Sequence, residues 1–70
     1  MNLGSLLRVI DSGGKAITVN LFDENNLLLI SFGLPGYDCL DDFLLDDEVT
    51  KLIFANMTTI NVYTDTSLNG

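Results

Sequence analysis

The chain has no histidine, no tryptophan, one cysteine, one proline and only three basic residues among 70. Each scarcity removes a class of function. Without His there is no side chain whose ordinary pKa makes it a general base near neutrality. One cysteine cannot close an internal disulfide, and no Cys/His cluster exists to hold a structural zinc. The three cations, Arg8, Lys15 and Lys51, are scattered, so no phosphate-tracking surface is expected and direct nucleic-acid binding is disfavoured. An anionic membrane would repel such a chain. Its longest clean apolar run, residues 27–30, is far short of the roughly 20 residues of a spanning helix. The start, Met-Asn-Leu-Gly-Ser-Leu-Leu-Arg, lacks the basic segment and apolar stretch of a signal peptide. The sequon Asn56-Met57-Thr58 is therefore expected to be idle. A lone thiol fits a reducing compartment, and the expectation is a cytoplasmic protein.

What is present in excess is acid, and it is concentrated. Asp38, Asp41, Asp42, Asp46, Asp47 and Glu48 fall within eleven positions with no Lys or Arg among them. They carry −6 of the formal −7. Charge gathered in this way suggests a surface that binds a basic partner rather than a site that performs chemistry.

Seventy residues allow one domain, and a domain of this size buries only about 60% of the surface its unfolded chain exposes. With no disulfide or metal to brace it, support must come from a dense apolar core or from a second chain. At 47% hydrophobic residues the first is feasible.

Apolar periodicity places the elements. Leu3, Leu6, Leu7 and Ile10 recur at i, i+3, i+4 and i+7, one face of a helix, with Asn2 as N-cap and Gly13 as a stop signal. Gly4 costs that helix up to about 1 kcal/mol relative to Ala, and a strand over residues 6–10 is the competing reading. Residues 16–22 alternate, with Ile17, Val19 and Leu21 on one side and Thr18 and Asn20 on the other, as a half-buried strand does. Asp23-Glu24-Asn25-Asn26 is turn chemistry. Residues 27–32 return as a strand that is apolar on both faces. Pro35-Gly36 suits the middle of a type II turn.

An acidic helix is expected over residues 38–46, with Leu40, Phe43 and Leu44 inward. Asp47 would fall in that apolar stripe, so the helix should end near Asp46. Residues 49–55 and 59–64 read as two further strands, and 65–70 as a loosely held tail. The whole is an α+β, two-layer domain over residues 1–70. It runs helix, hairpin, helix, hairpin (αββαββ), with a four-stranded sheet and both helices on one face.

Few residues offer chemistry. Cys39, in the first turn of the acidic helix, is surrounded by Asp38, Asp41 and Asp42, which raise a thiol's pKa, and it has no imidazole partner; a packed thiol is expected. Ser12-Gly13-Gly14-Lys15 resembles the end of a phosphate loop, but Val9 and Ala16 stand where Gly and Ser or Thr belong, so it is a turn. Carboxylates on an exposed helix face lack the cleft that tunes a catalytic pair, and no Ca²⁺-loop pattern is matched. No catalytic residue, metal or cofactor is expected.

The acidic helix itself divides in two. Asp38, Asp41 and Asp42 complement the positive end of its dipole. Asp46, Asp47 and Glu48 crowd the negative end, each at a cost of about 0.3–1 kcal/mol, and Asp38–Asp42 and Asp42–Asp46 are like-charge i, i+4 pairs. Stability alone would not choose this arrangement. Leu45 projects between Asp41 and Asp42, where it resembles the apolar anchor of a binding patch. The bland alternative is that the following strand or the 34–37 loop folds over it.

The runs Leu6-Leu7-Arg8-Val9-Ile10, Ile17-Thr18-Val19-Asn20-Leu21-Phe22-Asp23-Glu24 and Thr59-Ile60-Asn61-Val62-Tyr63, with the acidic Leu-rich segment between them, have a pattern that resembles small acidic accessory proteins of phages and mobile elements in Gram-positive bacteria. A subset of these, the anti-CRISPR and anti-restriction inhibitors, mimics phosphate charge in the nucleic-acid groove of a host enzyme. The resemblance implies no catalytic residues. It implies inhibition of a basic, nucleic-acid-handling host protein, and the charge cluster and its apolar neighbour place the contact at Asp38, Asp41, Asp42, Leu45, Asp46, Asp47 and Glu48. On a helix, Asp38, Asp42 and Asp46 would stand about 6 Å apart, the scale of successive charges along a nucleic-acid strand. The alternative is a homodimeric structural or assembly module, paired through the apolar outer positions of the sheet, Leu27, Leu29, Ile53 and Tyr63, with the acids only solubilising. A divalent-metal-dependent enzyme is the third class.

Overall fold

A computed structural model describes residues 1–11, 16–34 and 40–66, with Asp11 described by its backbone alone. The expected turns at Gly13-Gly14 and Pro35-Gly36, together with Asp38, Cys39 and residues 67–70, lie outside the described residues. Helix α1 (Leu3–Asp11) precedes strands β1 (Ile17–Phe22) and β2 (Leu28–Leu34); helix α2 (Asp42–Asp46) then leads into β3 (Val49–Asn56) and β4 (Thr59–Thr64). The four strands form one mixed sheet in the order β2-β1-β4-β3. Two antiparallel hairpins, β1–β2 and β3–β4, are joined by a parallel pairing of β1 with β4. The fold is α+β.

The helical spacing in the first residues is realised as α1. Its cap is Asn2, whose side-chain oxygen accepts the Ser5 amide at 2.9 Å while its carbonyl accepts the Leu6 amide at 3.2 Å. These bonds satisfy amides that a helix start leaves orphaned. Leu3, Leu6 and Leu7 are buried against Val19 and Leu21 of β1, Phe32 and Leu34 of β2, and Ile60 and Val62 of β4. Gly4 has a packing role. A β-carbon there would meet the Leu45 carbonyl at 3.3 Å and the Leu45 Cβ at 3.5 Å, so the missing side chain lets α2 approach α1.

Turn chemistry closes both hairpins. Asp23 is buried and its Oδ1 accepts the amides of Asn25 (2.8 Å) and Leu27 (3.0 Å), while Asn26 takes a left-handed φ of 65°. Asn56 Oδ1 likewise accepts the Thr58 amide at 2.8 Å. A bulge between Leu21 and Phe22 inserts an extra residue into β2, so Phe22 pairs with Leu28 and Leu21 with Ile30. This shift overturns the expectation that Leu27 and Leu29 lie on an outer sheet face. Leu29 packs against the core, and Leu27 is an exposed residue of the turn before β2.

The far face of the sheet is polar at one end and aromatic at the other. Ser31 Oγ donates to Asn20 Oδ1 at 2.7 Å, and Asn20 Nδ2 donates to Asn61 Oδ1 at 3.0 Å. One row on, Phe22 and Tyr63 stack with ring centroids 4.6 Å apart, and Lys51 Nζ lies 5.2 Å from the Tyr63 ring centre.

Asp65 and Thr66, placed by sequence in the loose tail, are tied down. Asp65 exchanges bonds with Glu48, its amide donating to the Glu48 carbonyl (3.1 Å) and its carboxylate accepting the Glu48 amide (3.0 Å). Thr66 is buried, with its hydroxyl 2.7 Å from that of Thr64 and donating to Asp47 Oδ2.

Candidate functional site

The acidic segment is less helical than its periodicity suggests. Asp41 is extended (φ −72°, ψ 150°), and its carbonyl accepts the amides of Leu44 (3.0 Å) and Leu45 (3.4 Å), so it is the N-cap of a five-residue helix. The helix ends where expected, with Asp47 extended and its amide on the Leu44 carbonyl at 3.2 Å. Because α2 begins at Asp42, the expected helix over residues 38–46 is shortened to one turn. Only Asp42 and Asp46 keep the i, i+4 relation within it. A regular 6 Å ladder of Asp38, Asp42 and Asp46 is not set by this helix.

The inward and outward residues also change places. Leu40 is buried as expected and Leu44 packs on the core, but Phe43 is 53% exposed. Leu45, expected as an anchor among carboxylates, is half-buried and packs on the core beside Gly4. The reason is that Leu40 precedes the helix, so a helical wheel drawn from it gives the wrong rotation for residues 43–45.

The acids separate by role. Asp41, Asp42 and Asp46 are exposed. Asp46 borders a shallow cleft of about 220 Å³ that Asn2, Gly4, Ser5, Arg8 and Leu45 also line. Asp47 is half-buried: its carboxylate takes the Thr66 hydroxyl and its carbonyl the Leu3 amide at 2.9 Å. Glu48 is exposed and pairs with the N-terminal ammonium at 2.9 Å. Asp47 and Glu48 therefore have structural partners that account for their position past the helix end. Among the described residues, no group of three His, Cys, Asp or Glu side chains could hold a metal ion, and no helix is long and apolar enough to cross a membrane.

A second surface lies on β3, of which the expected pairing residues include only Ile53. β3 is an edge strand of eight residues in which Val49 is half-buried and every other residue is exposed. Leu52 and Phe54 pair with Val62 and Ile60, which puts them on the core-bearing side of the sheet. They are nevertheless 38% and 69% exposed, and Ile53, on the far side, is 38% exposed. Among the described residues the buried core thus ends at β4; of β3 only Val49 packs against it, and Leu52, Ile53 and Phe54 stay uncovered. The N-terminal segment covers only the beginning of this edge: Asn2 bridges Glu48, and the Val49 amide donates to the Met1 carbonyl at 3.0 Å.

The pairing surface expected from Leu27, Leu29, Ile53 and Tyr63 does not form one patch. Leu29 is half-buried against the core, Tyr63 is half-buried against Phe22, and Leu27 and Ile53 lie at opposite edges of the sheet. No family model, curated protein or solved structure matches the chain.

Proposed function

We propose that the chain is a non-enzymatic protein-binding module of structural or assembly type, and that it binds by accepting a strand of another chain along β3. The observation that carries this reading is the exposure of Leu52, Ile53 and Phe54 on an open strand edge. An edge strand offers a row of unpaired amides and carbonyls. Native edges are usually short, charged, bulged or covered; this one carries Lys51 and shifts register between Val49 and Lys51 and between Phe54 and Asn56, but between those irregularities it presents the apolar run Leu52-Ile53-Phe54. Strand addition would supply the main-chain bonds and cover the apolar side chains in one step.

A second reading is favoured by Phe43. An aromatic side chain exposed between Asp42 and Asp46 suits the centre of a patch that meets a basic surface, with Asp41 at its border. In this reading Phe43 takes the anchoring role first given to Leu45. The partner is a basic, nucleic-acid-handling host protein, as the resemblance to phage and mobile-element inhibitors implies.

The two readings separate in one experiment. Tagged wild-type chain, Phe54→Lys and Asp42→Lys/Asp46→Lys are compared for capture of untagged chain and of proteins from cells that carry it. Strand addition predicts association that Phe54→Lys abolishes and the double charge reversal leaves intact. The opposite pattern would refute it and assign binding to the acidic surface.

A further inference from the structure

We infer that the occupant of the β3 edge is a second copy of this chain, paired antiparallel to the first about a two-fold axis at Ile53. The inference rests on the strand-addition reading and fixes its partner and register.

Three observations converge on it. The first is the extent of the free edge. The Met1 carbonyl takes the Val49 amide and Asn2 bridges Glu48, while β3 ends at Asn56 in the hairpin turn. Register shifts between Val49 and Lys51 and between Phe54 and Asn56 leave residues 51–54 as the regular open stretch, and its apolar run Leu52-Ile53-Phe54 is centred on Ile53.

The second is self-complementarity about that midpoint. An antiparallel pairing centred on Ile53 sets Leu52 beside the partner's Phe54 and Ile53 beside the partner's Ile53. Leu52 and Phe54 lie on the core-bearing side opposite Val62 and Ile60. The seam would therefore continue the apolar row of each domain into the other, making one eight-stranded sheet. A C2 interface needs one patch that fits itself, and this strand supplies it.

The third is charge. A chain of net −7 repels its copies over most of its surface. The hairpin from residue 49 to 64 contains no acid and one base, Lys51, so the remainder of the chain carries −8. Charge therefore does not oppose pairing along β3; the other edge strand, β2, is also free of acid, and the apolar run Leu52-Ile53-Phe54 distinguishes β3. In the proposed register the two Lys51 Cα atoms stand about 13 Å apart along the strands, beyond the Debye length of about 8 Å at physiological salt.

Site-directed cross-linking tests both partner and register, in a background where Cys39 is replaced by serine. Facing residues of an antiparallel pair have Cα atoms about 4.5–5.5 Å apart, within disulfide reach. Ile53→Cys should therefore oxidise largely to a covalent dimer. Lys51→Cys alone should not, and neither should Leu52→Cys alone or Phe54→Cys alone, whereas a mixture of the last two should. Absence of an Ile53→Cys dimer, or equal cross-linking of Lys51→Cys with itself, would overturn the inference. If that happens while Phe54→Lys still abolishes capture of another protein, strand addition stands and self-pairing falls. If Phe54→Lys leaves every association intact, both fall.

Discussion

Single side chains carry much of this small domain's definition. Asn2 caps α1 through the Ser5 amide, and Asn2→Ala should lower unfolding stability by about 1 kcal/mol in a denaturant titration. Asp23 is buried and accepts two loop amides, so Asp23→Ala leaves both without an acceptor. A loss of about 1–3 kcal/mol is expected, with amide exchange accelerating first at Asn25 and Leu27. Gly4 lies against Leu45. Gly4→Val should cost about 1–3 kcal/mol through overpacking, and a thermal melt unchanged from wild type would contradict the close approach of α2 to α1. Helix propensity saw only the cost of Gly4, because its benefit lies in a contact with a residue forty-one positions away.

At the scale of elements, legibility followed the reach of the signal. Alternation in β1 and β4 showed in the residues themselves: Val19, Leu21, Ile60 and Val62 are buried as their spacing requires. The turn at residues 23–26 was equally local, down to the left-handed Asn26. What failed depended on non-local geometry. The bulge opposite Phe22 reversed the facing of Leu29, and the late start of α2 exchanged Phe43 for Leu45. The acids at residues 47 and 48 looked gratuitous because their partners, Thr66 and the N-terminal amine, are distant in sequence. β3 was legible as a strand, but its openness follows from strand order, which periodicity does not encode. Phe54→Lys, at an exposed position, should change monomer stability by no more than about 0.5 kcal/mol in a denaturant titration while removing association.

For the molecule as a whole, size and charge pull in different directions. A 70-residue domain whose single cysteine can close no internal disulfide gains from a second chain, while a net charge of −7 discourages one. The chain resolves this by keeping its hairpin free of acid and placing three exposed carboxylates around α2. The central claim, that a second copy occupies the β3 edge, is tested most directly by solution mass from light scattering, at low and high salt, for wild type and Phe54→Lys. The account predicts twice the 7.7 kDa chain mass for wild type at both salt concentrations and the single-chain mass for the variant. A wild-type mass of one chain at every concentration, or a dimer that survives Phe54→Lys, would contradict it.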